Sequence, residues 1–288
     1  MSELWKAILF GIVEGITEWL PISSTGHMIL LDEFLTLNVS EEFRSMFFVF
    51  IQLGAILAVV LLFWSQIWPF ALAGKNNRAG SERDEWKFGA IAVRKDIMIN
   101  WVKIVAACLP AIIFVILGLD EICDTYFYNP VCVSAALILF GVIFILVENR
   151  NKKLQPIVQE MAGITWKMAV LIGIFQLLAA AFPGTSRSGA TIIGALLLGI
   201  ARKAASEFTF ILAIPVMLGA SLLKMLDFGF SLTGSEWMIL LFGMAGAFLV
   251  SIVVIRFLLS YIRKHDFKVF GWYRIALGVI VLLYFMIR

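Results

Sequence analysis

The chain has 288 residues, of which 61% are hydrophobic and 15% are charged, and its mean hydropathy is +0.97. Soluble domains carry about 25% charged residues, so this composition excludes an ordinary soluble enzyme and is typical of a multi-span membrane protein. The formal net charge is only +3, and we expect membrane lipids, and no nucleic acid, among its partners. Two histidines are too few for a multi-histidine metal site.

The first apolar segment, residues 4–20, contains Glu14 and Glu18 and ends in the polar turn 21–27. Between this turn and the first long apolar segment, only the short runs 28–31 and 34–37 are apolar. A helix needs about 20 apolar residues to cross roughly 30 Å of hydrocarbon, so two full spans do not fit here. We predict a re-entrant helical hairpin, whose backbone must lie inside the protein or line a wet cavity.

Further along the chain, residues 163–182 end in the polar turn 183–189 and are followed by a short arm, 190–200, which predicts a second hairpin. The other apolar segments are uninterrupted and long enough to span a membrane. The predicted fold class is therefore all-α, a polytopic membrane protein with six transmembrane helices and two re-entrant helical hairpins. The predicted spans are about 43–73, 97–119, 131–148, 207–227, 237–260 and 273–287.

Lysine and arginine mark the cytoplasmic loops of membrane proteins. This rule predicts that the C-terminus lies outside, that the first hairpin enters the membrane from outside, and that the second enters from the cytoplasm. The basic residues number six in loop 74–96, three in 149–162, two in 201–206 and four in 261–274, and there are none in 120–130 or 228–236.

The two hairpins are also related in sequence, because residues 4–24 align with 166–186. Each half, 1–148 and 163–288, then holds one hairpin and three spans, so the second half is inverted. Inverted repeats place a site near the midplane, where broken helices meet. We therefore predict one domain, 1–288, with inverted halves. The identical pairs are Ala7/Ala169, Leu9/Leu171, Gly11/Gly173, Ile12/Ile174, Pro21/Pro183 and Ser24/Ser186.

Ionisable residues inside the hairpins are functional candidates, since charges at membrane depth are costly. Glu14 and Glu18 are four residues apart and share one helix face. Two such carboxylates suit a divalent cation or a proton transfer. The plainer alternative is a polar face that closes against another helix.

The turn after Pro21 continues with Ser23, Ser24, Thr25, Gly26 and His27. A serine here is either a helix cap or a nucleophile, and free N–H groups at a helix start bind phosphate. If the arm begins near Ser24, that serine and His27 face the same way, and a serine beside a histidine is an activatable nucleophile.

The second turn supplies Arg187, which is flanked by Ser186 and Ser188, with Thr191 one helical turn further on. A guanidinium binds phosphate with two parallel hydrogen bonds, and hydroxyl groups add donors. Together the two turns predict a phosphate-handling site inside the membrane, which is as far as the chemistry of these residues leads.

Both turns resemble signatures of a known family. Residues 14–27, EGITEWLPISSTGH, resemble the first signature of bacterial undecaprenyl-diphosphate phosphatases of the bacitracin-resistance type, and residues 183–191, PGTSRSGAT, resemble the second. The resemblance runs along the full chain and includes residues 51–54. Some members carry a glutamate where this chain has Phe48, so any role of that carboxylate is absent here.

The resemblance implies hydrolysis of undecaprenyl diphosphate, which recycles the lipid carrier for peptidoglycan synthesis in the bacterial inner (plasma) membrane. It also implies a divalent cation, Mg²⁺ or Ca²⁺, with Glu14 and Glu18 as ligands, and a site open to the periplasmic or extracellular side. The residues onto which family roles carry over are Glu14, Glu18, Ser24, His27, Ser186, Arg187 and Thr191.

Three questions stay open at this point. We favour Ser24 as the nucleophile with His27 as its base, but attack by His27 or directly by water is not excluded. A flippase for a polyprenyl phosphate, built on the same inverted repeat, is the rival class of protein. The sequence also leaves a homodimer open.

Overall fold

The computed structural model describes residues 2–72, 85–88, 91–229 and 231–287. Most of them are helical, and one small sheet is present. The helices are α1 (Ser2–Thr17), α2 (Ser24–Phe34), α3 (Glu41–Leu62), α4 (Trp64–Ile67), α5 (Lys95–Ile116), α6 (Leu119–Phe127), α7 (Pro130–Asn151), α8 (Trp166–Ala181), α9 (Arg187–Leu197), α10 (Arg202–Phe228), α11 (Gly234–Tyr261) and α12 (Lys268–Ile287), and a 3₁₀ turn covers Met161–Gly163. The strands are β1 (Phe70–Leu72), β2 (Glu85–Phe88) and β3 (Ile91–Arg94).

The prediction of an all-α protein with six membrane spans is confirmed for the described part of the chain. Helices α3, α5, α7, α10, α11 and α12 are each long and apolar enough to cross a membrane. Many large apolar side chains are about half exposed, for example Leu61 at 57%, Ile112 at 47% and Leu249 at 62%. Such a surface suits lipid and not water.

The predicted span 43–73 is wrong at its C-terminal end, since α3 ends at Leu62 and one turn of helix, α4, precedes β1. Proline has no amide hydrogen, and the residue before it avoids the helical conformation, so the helix cannot continue through Trp68 and Pro69. The antiparallel sheet, in the order β1-β3-β2, was not predicted. Lys75, Arg78 and Arg83 of the predicted loop 74–96 lie outside the described residues.

Two predicted basic loops are shorter than expected. Helix α10 begins at Arg202, inside the predicted loop 201–206, and α12 begins at Lys268, inside the predicted loop 261–274. Arg274 was counted among the loop charges, but it lies within α12 and is fully buried. The predicted loop 120–130 is also mostly helical, because α6 occupies it.

Each predicted hairpin is present as two short helices joined by a tight turn. Helices α1 and α2 form the first, and its open end is closed by Lys6, whose Nζ donates to the Thr36 carbonyl oxygen at 2.7 Å. Helices α8 and α9 form the second. Re-entry of these arms into a membrane stays a prediction.

The long helices pair in an antiparallel way. At one end of α3 the Phe43 ring contacts Phe228 of α10, with ring centroids 6.2 Å apart, and at the other end Phe63 contacts Phe210 at the same distance. Helices α7 and α12 are antiparallel as well. Because the first hairpin precedes α3 and the second precedes α10, the hairpins start from opposite ends of the bundle.

The two hairpins pack on the spans in corresponding ways. Helix α1 lies against α11, and α8 lies against α5. A Cβ atom on Gly11 would collide with the carbonyl oxygen of Gly243, and one on Gly173 would collide with that of Ala107. Gly11 and Gly173 are an aligned pair, so each glycine permits the same close backbone approach to a span in the other half.

Candidate active site

The tips of the two hairpins carry matching strained caps. Ser23 precedes α2 with φ 72°, and Ser186 precedes α9 with φ 70°; they are the two non-glycine residues with positive φ in the described chain. Each serine Oγ accepts a backbone N–H three residues ahead, from Gly26 at 3.5 Å and from Gly189 at 3.1 Å. The left-handed region costs an L-residue about 1–2 kcal/mol, and such strain clusters at functional sites.

This match corrects the sequence alignment at the tips. The alignment paired Ser24 with Ser186, but the residue with the backbone position of Ser186 is Ser23. The second turn contains one more residue between its proline and its cap than the first. Ser24 therefore corresponds to Arg187, and each is the first residue of its arm.

A buried ion pair joins the two hairpin tips. Arg187 Nη2 donates to Glu18 Oε1 at 2.8 Å, and the two side chains are 13% and 7% exposed. Arg187 Nη1 also donates to the Thr209 carbonyl oxygen at 3.2 Å. Partial burial strengthens this pair relative to a surface ion pair, and it fixes the guanidinium at the meeting point of the hairpins.

Ser24 lies at the same point and uses the second oxygen of the same carboxylate. Its Oγ donates to Glu18 Oε2 at 3.0 Å. Unlike the buried Ser23, Ser24 is partly exposed. A hydroxyl that donates to a carboxylate has its proton acceptor already in place, which is the arrangement of an activated nucleophile.

His27 is oriented differently from the sequence prediction. Its Nδ1 lies 2.7 Å from the Ser23 carbonyl oxygen, which only accepts, so Nδ1 carries the hydrogen and Nε2 has the free lone pair. That Nε2 accepts from the hydroxyl of Tyr273 at 2.8 Å, and the two rings are nearly parallel. The predicted pairing of Ser24 with His27 is not the arrangement in this structure, because both histidine nitrogens have other partners and Ser24 donates to Glu18.

Glu14 is buried beside Glu18, as the four-residue spacing predicted. The two carboxyl groups interact, and Glu14 Oε1 has no hydrogen-bond partner among the described residues. Neighbouring carboxylates of this kind hold a shared proton or a cation. No group of three or more His, Cys, Asp or Glu side chains able to hold a metal occurs in the described residues. Two carboxylates nevertheless fit Mg²⁺, which keeps several waters and bridges to phosphate oxygens.

Two of the predicted phosphate contacts, Ser188 and Thr191, have hydrogen-bond partners within the chain. The buried Ser188 Oγ donates to the Glu18 carbonyl oxygen at 3.0 Å, and it lies 3.1 Å from Ser186 Oγ. The buried Thr191 hydroxyl donates to the Arg187 carbonyl oxygen at 2.9 Å and accepts from Thr209. These bonds hold the backbone at Glu18 and Arg187, and the phosphate contacts of Ser188 and Thr191 stay a prediction.

The remaining residues of the first turn divide in the same way. Ser23 is a buried helix cap, and a Cβ atom on Gly26 would come within 2.9 Å of Leu137 Cδ1, so Gly26 packs closely against α7. Thr25 is partly exposed beside Ser24 and stays a candidate phosphate contact.

Arg274 is the residue that the sequence analysis missed. It donates from Nη1 to the Pro21 carbonyl oxygen at 3.3 Å and from Nη2 to those of Gly184 and Thr185 at 3.0 and 2.8 Å. One buried guanidinium thus holds the backbones of both tips. The position of Arg274 after the apolar segment that opens α12 could have indicated a buried arginine. The basic residues just before that segment led instead to its assignment to a loop.

The two tips together form a site suited to anions. Helices α2 and α9 both begin there, and the first N–H groups of a helix lack intrahelical partners and carry partial positive charge. Arg187 adds a full positive charge, and Ser24 adds a hydroxyl with a carboxylate acceptor. The fold and this site define a class, that of polytopic helical membrane proteins with an anion-binding site between two helical hairpins.

Comparison with known proteins gives the particular family. The chain belongs to the family described as bacitracin resistance protein BacA, which matches residues 7–280.

Similar proteins cover the whole chain. A protein from Desulfitobacterium hafniense named undecaprenyl-diphosphatase is 57% identical over 288 residues, which is 100% of this chain and 98% of that protein. One of the same name from Enterococcus faecalis is 56% identical over 281 residues, 98% of this chain and 96% of its own. Undecaprenyl-diphosphatase 1 of Clostridium acetobutylicum is 55% identical over 285 residues, 99% of this chain and 98% of its own.

Proposed function

We propose that this chain is an integral membrane phosphatase that hydrolyses undecaprenyl diphosphate to undecaprenyl phosphate and inorganic phosphate. Family membership and the full-length similarity to proteins named undecaprenyl-diphosphatase support the substrate and the reaction. The observation that carries the proposal is the Glu18 carboxylate, which pairs with Arg187 and accepts from Ser24. The product is the monophosphate lipid carrier of peptidoglycan synthesis.

In the proposed reaction, Ser24 Oγ attacks the terminal phosphorus and its proton passes to Glu18 Oε2. The bond from that phosphorus to the bridging oxygen breaks, and the lipid monophosphate leaves with the electron pair. Arg187 and the N–H groups at the starts of α2 and α9 neutralise charge on the phosphate oxygens. Water then attacks the phosphoserine, inorganic phosphate leaves, and the proton on Glu18 returns to Ser24.

His27 takes a supporting part in this scheme. With its Nδ1 hydrogen on the Ser23 carbonyl, the imidazole has its free lone pair on the side of Tyr273. In the proposed scheme it accepts a proton from the water that attacks the phosphoserine, once Tyr273 releases it. Attack by His27 itself, or by water without an intermediate, is the alternative to this order of events.

The proposed cofactor is a divalent cation, Mg²⁺ or Ca²⁺, with Glu14 and Glu18 as its protein ligands. The partnerless oxygen of Glu14 supports this assignment. Held by Glu14 and Glu18, the ion would supply charge neutralisation to the diphosphate.

We further propose that residues 1–148 and 163–288 are inverted repeats in the plasma membrane, with the site open to its outer face. The antiparallel pairing of α3 with α10 supports the inversion, and the loop charges support the orientation. A homodimer is a separate proposal.

The rival function is a flippase for the lipid monophosphate. The meeting of two broken helices from opposite ends of the bundle favours it, since alternating-access carriers have this architecture. A carrier needs Arg187 to bind the headgroup but has no use for the carboxylate acceptor on Ser24, so the hydroxyl and its partner favour the phosphatase.

The experiment that tests the proposal measures inorganic phosphate released from undecaprenyl diphosphate by the purified chain in detergent. We expect turnover by the wild-type protein and by Ser231→Ala, an exposed loop serine, and none above background by Ser24→Ala. Headgroup binding without phosphate release by the folded wild-type chain would favour the flippase.

A further inference from the structure

A cavity of about 490 Å³ lies at the base of the second hairpin, at the opposite end of α9 from the tip that bears Arg187. The end of α7, the segment that follows it, and the junction between α9 and α10 form its walls. Helix α9 has 11 residues, and at about 1.5 Å per residue the cavity lies roughly 16 Å from the active site. It is therefore separate from the catalytic groups.

The lining of this cavity is cationic. Arg150, Lys152 and Arg202 line it, and no aspartate or glutamate is among the described residues that do. Arg202 is oriented by the fully buried Glu148, which accepts from its Nε and its Nη2. Arg150 has no ion-pair partner among the described residues, and Lys152 is 3.9 Å from Asp266. The cavity thus offers a pre-oriented guanidinium and a second guanidinium that lacks a counter-charge.

The position of the cavity matches the headgroup level of a membrane. Span α7 ends at the rim of the cavity, and span α10 begins there, so the cavity lies at the boundary between hydrocarbon and water. Leu197 and Leu198 form an apolar wall, and Ile157 of the adjoining segment is 79% exposed. A ligand with a phosphate and a hydrocarbon chain satisfies both the cationic and the apolar parts.

The corresponding cavity of the first hairpin differs in charge. It measures about 520 Å³ and is lined by Asp32 and Glu33 together with Arg44, which pairs with Asp32 at 3.4 Å. Positive charge is thus not a general property of the hairpin bases. An excess of positive over negative charge in the lining distinguishes the cavity of the second hairpin from that of the first.

From these observations we infer that the cavity at the base of the second hairpin is a binding site for the phosphate headgroup of an anionic membrane lipid. The guanidinium groups of Arg150 and Arg202 bind the phosphate, and the first part of the lipid chain lies on Leu197 and Leu198. Basic pockets between membrane helices on this type of face recognise lipid headgroups through the same chemistry.

The test is lipid binding to the purified full chain, measured by native mass spectrometry during titration with phosphatidylglycerol. Each basic residue near a headgroup contributes about 1 kcal/mol of binding free energy. The Arg150→Gln/Lys152→Gln double variant should therefore bind phosphatidylglycerol roughly tenfold to thirtyfold more weakly than the wild type. Its phosphatase turnover in detergent should equal that of the wild type, because neither residue touches the active site. Arg150→Gln alone, expected to bind roughly fivefold more weakly, serves if the double variant does not fold.

The matched control is Arg263→Gln/Lys264→Gln, which removes the same charge from an exposed loop beside α12 at the same end of the bundle. It should retain wild-type affinity. If both double variants lost the same lipid affinity, the binding would reflect general electrostatic attraction to the surface, and the proposed site would be wrong. Equal affinity of the wild type for phosphatidylcholine would also overturn it. Displacement of the lipid by millimolar inorganic phosphate would identify a free-anion site instead.

Discussion

Glu18 Oε1 lies 2.8 Å from Arg187 Nη2, and this contact joins the tips of two hairpins that start from opposite ends of the bundle. The other oxygen of Glu18 accepts from Ser24 at 3.0 Å. One carboxylate therefore connects a guanidinium from the second half of the chain with a hydroxyl from the first. In the proposed mechanism the guanidinium binds phosphate and the hydroxyl is the nucleophile, so the activity should depend on this contact.

Arg187→Lys should lose most of the activity although it keeps the positive charge. Lysine is a point charge and cannot hold Glu18 while it also makes a two-point contact with phosphate. Loss of one charge-assisted hydrogen bond costs roughly 1.5–3 kcal/mol, about tenfold to a hundredfold in kcat/KM. Phosphate release is the measurement, with the exposed Arg263→Lys as the control. Near-normal turnover in a folded Arg187→Lys protein would mean that the guanidinium fork is not used.

Because the hydrogen bond from the Tyr273 hydroxyl must break before His27 can accept a proton, Tyr273→Phe should raise kcat by roughly twofold to tenfold and leave KM nearly unchanged. Phenylalanine keeps the ring against His27 but removes the hydroxyl that donates to Nε2, and one neutral hydrogen bond accounts for a change of this size. Tyr284→Phe, further along α12, should have no effect. A rise in KM with unchanged kcat would instead place the Tyr273 hydroxyl in substrate binding.

Arg274→Met should destabilise the protein by roughly 2–4 kcal/mol, because it leaves three backbone carbonyls of the tips without their donor. Thermal unfolding in detergent measures the effect, and Lys167→Met at the exposed start of α8 is the control. Arg187→Lys should unfold close to the wild-type temperature. If Arg274→Met also unfolded at the wild-type temperature, the Arg274 guanidinium would not stabilise the tips.

The sequence was sufficient for much of the fold because spans are encoded by long apolar runs, and six of them predicted six helices. It also singled out Glu18, Ser24 and Arg187 as polar groups of the two hairpins, and these three side chains are joined by hydrogen bonds in the structure. These features depend on local composition, which a single sequence contains.

What the sequence could not supply are contacts between distant segments. His27 has its partner Tyr273 on the last helix, and nothing near His27 in the chain indicates it. Ser24 lies three residues from His27, yet its hydroxyl points to Glu18, because the positive φ at Ser23 sets the direction of the arm. Arg274 was assigned to a loop because its burial depends on how α12 packs against both tips.

The proposed orientation predicts the labelling of single cysteines on a cysteine-free background by impermeant thiol reagents. Thr125→Cys, exposed on α6, should label from outside, whereas Lys153→Cys, exposed beyond α7, should label only after the membrane is opened. Both positions are accessible in the fold, so a difference between them reports the side of the membrane. Labelling of Lys153→Cys in intact cells would contradict the orientation.

The most direct test of the account is the fate of a labelled terminal phosphate of undecaprenyl diphosphate in a rapidly quenched single turnover. The account predicts release of the label as inorganic phosphate through a transient, acid-stable phosphoserine at Ser24, and neither intermediate nor release in Ser24→Ala. An acid-labile phosphoprotein, together with substantial turnover in Ser24→Ala, would contradict it and assign the attack to His27.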